Sequence, residues 1–198
     1  MRGAELLPVA RPSFFDPDKF GQCKCGGMGW NDRLFPALEL ANKNGYAPID
    51  VLNHARASYS ANIHFVDEAV GDLLKRLRES GLYDDSLIIV MSDHGEAFFK
   101  HKRWGHNNHV YDDMVRIPLM MKFPKSEKIS PKRLRHLVET IDILPTVLAL
   151  LDAEAPDYLE GESLLPVIRG ESKALKTPEV IVSTLDFSRH AIRQGKYK

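Results

Sequence analysis

Several features that would by themselves assign this chain to a class are absent. No apolar run reaches the ~20 residues needed to span a bilayer, and residues 1–10 are too short and too mixed to be a complete secretory signal. The two cysteines, Cys23 and Cys25, lack the second pair that a zinc site needs, which favours a structural or incidental role. Lysine plus arginine and aspartate plus glutamate both number 27, so the net charge is zero. That balance gives no support for nucleic-acid binding through a broad basic surface.

What remains is the composition of an ordinary globular protein. The chain has 198 residues, of which 43% are hydrophobic, and this is enough for one domain with a core. We expect a single domain over residues 1–198. Its first part, residues 1–48, reads as an irregular, proline- and glycine-rich segment with a short helix near Arg33 to Ala41.

The clearest periodic signal predicts a helix from His54 to Ser80. Its apolar residues recur at three- and four-residue steps and so share one face: Ile63, Val66, Val70, Leu73, Leu74 and Leu77. Gly81 stands where a helix-terminating glycine belongs. The apolar run that follows, within residues 86–91, predicts a short buried strand. Helix, turn and buried strand together form half of a βαβ unit.

The later half of the sequence alternates between the two kinds of element. We expect strands at Ile117 to Phe123 and Val180 to Ser183, and the start of another from Ala191. We expect helices at Glu139 to Leu151 and Glu162 to Arg169. The sequence therefore predicts an α/β fold.

The densest group of potential ligands directly follows the strand at residues 86–91. Asp93 offers a carboxylate oxygen and His94 an imidazole nitrogen, and in open α/β sheets ligands bind beyond the carboxyl ends of strands. Adjacent side chains in a tight turn can both reach one cation. From Ser92 to Gly95 alone, a plain turn or a helix N-cap explains the residues equally well.

A loop rich in cations and imidazoles follows within a few residues. It holds His101, Lys102, Arg103, His106 and His109. Such a loop suits a tetrahedral sulfate or phosphate ester, which needs positive donors on its oxygens and a proton donor for the leaving oxygen. We interpret His106 as that catalytic group, with Lys102 and His109 as further substrate-binding candidates. Taken singly, His101, Lys102 and Arg103 also fit a solvated surface loop.

Several linked motifs resemble the sulfatase family of the alkaline phosphatase superfamily. They run in the family's order over residues ~59 to 198: Val66 to Leu77, Gly81 to Glu96, Trp104 to His106, Val110 to Leu119, Asp142 to Leu148, Gly161 to Pro166 and Ala191 to Lys198. The resemblance implies a partial alkaline-phosphatase-like α/β/α sandwich with a central, mostly parallel sheet and the start of a small C-terminal sheet. Residues 49–198 would be the later part of the catalytic domain.

The resemblance also implies roles for individual residues. Asp93 and His94 would be two ligands of one divalent cation, calcium in most sulfatases. Histidine at the second position is common in relatives that cleave phosphonate monoesters or transfer phosphoethanolamine, and it brings manganese or zinc into consideration. His106 would contact the sulfate and the leaving oxygen. The implied substrate is a sulfated small molecule or glycan.

The family's nucleophile is missing from this sequence. It is a cysteine in a Cys-x-Pro-x-Arg motif, and neither Cys23 nor Cys25 has that context. The early aspartate pair and the second catalytic histidine are missing as well. We therefore expect a chain that begins midway through the domain, is inactive alone and has the missing N-terminal half as a potential partner. A hydrolase of phosphonate or phosphate esters, and a non-catalytic fragment or pseudoenzyme, are the alternatives.

Overall fold

The computed structural model describes residues 34–106, 109–175, 179–183 and 189–194. The expected irregular stretch at residues 1–33, with Cys23 and Cys25, lies outside these ranges. The chain divides into two compact units. The first contains residues 34–84 and 94–106 of the described chain, and the second contains residues 85–93 together with the described residues from 109 onwards.

Two helices form most of the first unit. Helix α1 spans Leu34–Asn44 and helix α2 spans Ile49–Glu79. The start of α2 precedes the predicted His54 because Pro48, with φ of −55°, stands at the N-cap and Asp50 places a carboxylate in the first turn. No helix in the described part of the chain combines the length and apolarity that a membrane span requires.

The C-terminus of α2 confirms the role predicted for Gly81. Gly81 has φ of +75°, a conformation that glycine adopts without strain. The amide of Leu82 donates to the carbonyl of Leu77 at 2.9 Å, and that of Gly81 donates to Arg78 at 3.1 Å. This pair of hydrogen bonds is a Schellman motif, which satisfies carbonyls that the last helical turn leaves unpaired.

Burial along α2 is uneven. Val51, His54, Ala55 and Ala57 are buried near its start. Of the periodic apolar residues, Ile63, Val66 and Leu73 are 46%, 57% and 55% exposed. The expected apolar face therefore exists, but the central part of the helix leaves these residues open to solvent.

A short hairpin completes the first unit and was not expected from the sequence. Strand β2 (Ala97–Phe98) pairs antiparallel with strand β3 (Trp104–Gly105). Trp104 enters a core with Leu38 of α1 and with two residues of α2, Val51 and Ala55. The strands are two residues long, too short for a periodic signal in the sequence.

The second unit contains the remaining strands. Strand β1 (Ile88–Met91) pairs antiparallel with β4 (Leu119–Lys122), with Ile88 opposite Lys122. Strands β5 (Glu179–Ser183) and β6 (His190–Gln194) form a second antiparallel pair, where the start of the small C-terminal sheet was expected. The α/β class is confirmed. All pairings between described strands are antiparallel, so the parallel pairing that the family resemblance implies does not occur among these strands.

Short helices connect these strands. Helix α3 is a single turn at Asp112–Val115, α4 spans Ile143–Leu150 after a 3₁₀ turn at Thr140–Asp142, and α5 spans Leu165–Arg169. Pro145 falls in the first turn of α4, where its missing amide hydrogen costs no helical hydrogen bond. Gly170, with φ of +82°, ends α5. The two later helices thus lie where the sequence predicted them, with slightly shorter bounds.

A polar cluster joins the start of α4 to the loop before α5. Asp142 is 5% exposed, and its carboxylate accepts the amide hydrogens of Glu139 at 2.8 Å and Glu162 at 2.9 Å. Thr146 is fully buried and uses its hydroxyl in two further hydrogen bonds. The motif residues Asp142 and Thr146 therefore have a structural role.

Candidate active site

The hairpin of the first unit brings a carboxylate and an imidazole together. The ladder ends with the pair Ala97 and Gly105, and the residues that flank this pair, Glu96 and His106, are in contact just beyond it. The distance from His106 Nδ1 to Glu96 Oε2 is 3.5 Å. A two-residue ladder thus brings together residues that are ten positions apart in sequence.

Aromatic packing holds this hairpin against α2. The ring of Phe98 meets Trp104 edge-on at 5.2 Å and Tyr59 of α2 at 5.1 Å. Arg56 of α2 donates to the carbonyl of Phe98 at 3.3 Å. Because buried aromatic side chains make large contributions to packing, the base of the hairpin has a defined position relative to α2.

His94 lies against His106. The two imidazole rings stack with centroids 4.6 Å apart and planes 28° from parallel. His94 Nδ1 is 2.7 Å from the carbonyl oxygen of Gly95. Because a carbonyl can only accept a hydrogen bond, Nδ1 carries a hydrogen, and in the neutral ring this leaves the lone pair on Nε2. That arrangement, with one ring nitrogen held by a carbonyl, is typical of histidines that bind a metal.

Asp93 precedes His94 in the chain and belongs to the second unit. Both side chains are exposed. Throughout the described ranges, no three His, Cys, Asp or Glu side chains come together as a metal site. Asp93 and His94 are therefore two donors of suitable chemistry, fewer than a divalent cation normally takes from a protein.

Lys102 lies at the other end of the hairpin from His106. Its amide donates to the carbonyl of Phe99 at 3.1 Å, and both residues have positive φ, 57° and 63°, in the turn. His101, Lys102 and Arg103 are all exposed. The structure therefore brings His94 and Glu96 to His106, and it leaves Lys102 at the tip of the hairpin.

His109 belongs to the second unit and is 5% exposed. Its ring lies 5.3 Å from that of Tyr111, tilted by 47°. A buried imidazole beside an aromatic ring is typical of a packed residue. Its suggested contact with substrate stays a prediction.

Comparison with known proteins identifies the family. A family model described as sulfatase matches residues 12–153, which is more than half of the chain. The chain belongs to the sulfatase family. This places the stacked histidines of the hairpin within the region that the sulfatase model covers.

Individual sulfatases and a related hydrolase are similar to this chain. The uncharacterized sulfatase YidJ of Escherichia coli K12 is 32% identical over 148 residues, covering 75% of this chain and 27% of YidJ. The choline-sulfatase of Rhizobium meliloti is 31% identical over 156 residues, covering 74% of this chain and 29% of that enzyme. The structure of the phosphonate monoester hydrolase SpPMH from Silicibacter pomeroyi matches with a TM-score of 0.64 at 28% identity, covering 86% of this chain and 30% of SpPMH. The sulfatase-family chain thus spans less than a third of the length of these proteins.

Glu96 is a site residue that sequence analysis did not identify. Its side chain is 12% exposed, and Oε1 is buried without a hydrogen-bond partner among the described residues. The sequence contained one signal for it, because Glu96 is the last residue of the motif at residues 81–96. Its contact with His106 is visible only in the structure.

Proposed function

We propose that this chain forms the later part of a metal-dependent sulfuric ester hydrolase. The observation that carries the proposal is the stacking of His94 on His106 at 4.6 Å. It joins the candidate metal ligand to the candidate proton donor in one compact unit. The sulfatase match supports the reaction class, and the substrate would be a sulfated small molecule or glycan.

In this proposal Asp93 and His94 bind the cation. The two residues are adjacent in the chain, and in the neutral ring the contact of His94 Nδ1 with the Gly95 carbonyl leaves Nε2 as the nitrogen that would bind the cation. Calcium fits the carboxylate, and manganese or zinc suits the imidazole better. When bound, the cation would polarise the oxygens of the ester.

His106 acts on the leaving group. Its imidazole is 59% exposed beside a carboxylate, so in the imidazolium form it could deliver the hydrogen on Nε2 to a substrate oxygen and keep the hydrogen on Nδ1. Lys102 and His109 are proposed contacts for the anionic substrate. Lys102 has the exposure that such a contact needs, whereas His109 would require movement of the residues around it.

This polypeptide alone is proposed to be inactive. No Cys-x-Pro-x-Arg motif occurs in its 198 residues, so the covalent intermediate of the family has no nucleophile here. An in-frame motif upstream of Met1 in the coding region would favour a split or truncated enzyme, and its absence would favour a pseudoenzyme.

Cation binding tests the metal site directly. Calorimetric titration of the chain with Mn²⁺ and with Ca²⁺ is expected to show a weak site that is lost in both Asp93→Ala and His94→Ala. His101→Ala is the matched control, because His101 is an exposed histidine in the turn of the hairpin. Binding that survives both substitutions, or that His101→Ala also removes, would contradict the metal assignment.

Hydrolysis of phosphonate monoesters is the second candidate function. Its support is the imidazole of His94 together with the match to SpPMH. A chromogenic aryl sulfate and a phosphonate monoester, each with added calcium or manganese, separate the two reactions. Neither should be turned over by this chain alone, and robust turnover that disappears in Asp93→Ala would overturn the proposed inactivity.

A further inference from the structure

We infer that Glu96 is a positioning residue that holds His106 by Nδ1 and presents Nε2 to the substrate. The inference rests on the proposed role of His106 and assigns the residue that orients it. The first support is the contact itself: beyond the last pair of the ladder, Ala97 with Gly105, Glu96 Oε2 lies 3.5 Å from His106 Nδ1. Glu96 and His106 stand outside the two-residue ladder and Gly105 has φ of +80°, so the distance between the two atoms, and not a strand register, establishes their proximity.

The environment of Glu96 is the second support. Its side chain is 12% exposed, whereas that of His106 is 59% exposed. Oε1 is buried and has no hydrogen-bond partner in the described ranges, so the 3.5 Å contact between Oε2 and His106 is the one polar contact recorded for the carboxylate there. A poorly solvated carboxylate is costly without a donor, and His106 Nδ1 is in place to serve as that donor.

The third support is the similar arrangement of the neighbouring imidazole. His94 Nδ1 contacts the Gly95 carbonyl, and His106 Nδ1 contacts the Glu96 carboxylate. Carbonyl and ionised carboxylate oxygens accept hydrogen bonds and donate none. Both neutral rings are therefore expected in the tautomer with hydrogen on Nδ1. The acceptors that orient the two stacked imidazoles belong to consecutive residues, Gly95 and Glu96.

This tautomer can be measured without substrate or metal. Long-range ¹H–¹⁵N correlation spectra of the chain labelled with ¹⁵N-histidine, at a pH of about 8.5 where imidazoles are neutral, distinguish the two nitrogens. His106→Gln assigns the signals by their loss. Wild-type His106 is expected to show hydrogen on Nδ1, and hydrogen on Nε2 would overturn the inference.

Substitution of Glu96 tests the cause. In Glu96→Ala, His106 should shift from the Nδ1 tautomer towards the mixture seen in exposed histidines, whereas Glu96→Gln, which retains an oxygen acceptor, should keep it. A full Nδ1 tautomer in Glu96→Ala, with the amide signals of Ala97 and Trp104 unchanged, would refute the role. If Glu96→Ala does not fold, the tautomer of His106 in the wild type and in Glu96→Gln tests the role. Hydrogen on Nδ1 in both proteins supports it, and hydrogen on Nε2 in either refutes it.

A second glutamate–histidine pair supplies the control. His64 Nε2 and Glu68 Oε1 on α2 are 3.6 Å apart, and both side chains are about two-thirds exposed. Glu68→Ala should leave the tautomer of His64 unchanged, since water replaces the carboxylate there. Because the spectra are recorded without added cation, a failure of cation binding would count against the proposed function and leave the result for Glu96 intact.

Discussion

The hydroxyl of Thr146 connects two segments that are distant in sequence. It donates to the carbonyl of Asp142 at 2.6 Å and accepts the amide hydrogen of Leu164 at 2.9 Å, and Thr146 is fully buried. Thr146→Val keeps the shape and removes the acceptor. We expect it to lower the free energy of unfolding by about 1–3 kcal/mol, because the buried amide of Leu164 loses its partner. Urea unfolding measures the change, and Thr140→Val, at an exposed position, should have little effect.

The carboxylate of Asp142 contributes to the same connection through two amides, at 2.8 and 2.9 Å. Asp142→Ala should destabilise the chain by about 3 kcal/mol, since two hydrogen bonds to a charged acceptor are lost. Asp142→Asn retains one acceptor oxygen, so its free energy of unfolding should lie between those of the wild type and Asp142→Ala. An equal loss in both variants would show that charge, and not the number of acceptors, determines the effect.

Gly161 lies directly over the 3₁₀ turn before α4. A Cβ at this position would overlap the carbonyl oxygen of Ile141 and stand 2.5 Å from its carbonyl carbon. Gly161→Ala should therefore cost about 1–3 kcal/mol, because backbone must move to accept it. Gly71→Ala is the matched control, because nothing lies within 4 Å of a Cβ there. It should stabilise α2 by up to about 1 kcal/mol through helix propensity, and similar losses in both variants would contradict the steric explanation.

Asp112 and Arg193 join α3 to β6. One guanidinium nitrogen of Arg193 lies 2.5 and 2.6 Å from the two carboxylate oxygens, and the side chains are 29% and 39% exposed. A double-mutant cycle with Asp112→Asn and Arg193→Gln, each of which removes one charge of the pair, should give a coupling energy of roughly 1 kcal/mol, reduced by solvent exposure and by salt. Additive effects of the two substitutions would show that the pair does not stabilise the second unit.

The sequence predicted the long elements better than the short ones. Helix α2 is long enough to show its periodicity, strand β1 is marked by a continuous apolar run, and Gly81 and Gly170 mark helix ends by the backbone conformation they allow. Strands β2 and β3 have two residues each, so no period exists to detect.

For the candidate site, the sequence predicted the kinds of side chain but not the contacts between them. Its ligand types could be read from Asp93, His94 and His106, because their chemistry and spacing are local properties of the sequence. The stacking of His94 on His106 and the contact of Glu96 with His106 join residues that are ten or more positions apart, in a hairpin whose Trp104 packs into the core. That packing is a tertiary property, which the sequence pattern did not contain.

The register of the hairpin also determines which changes of length the site tolerates. Residues 99–103 form the turn, so an insertion there would lengthen the tip and leave the contact of Glu96 with His106 in place. An insertion of one residue within β2 or β3 would shift the pairing of Ala97 with Gly105 and so displace Glu96 relative to His106. Insertions and deletions in related chains should therefore occur at the tip, where Lys102 lies, and not within the four strand residues.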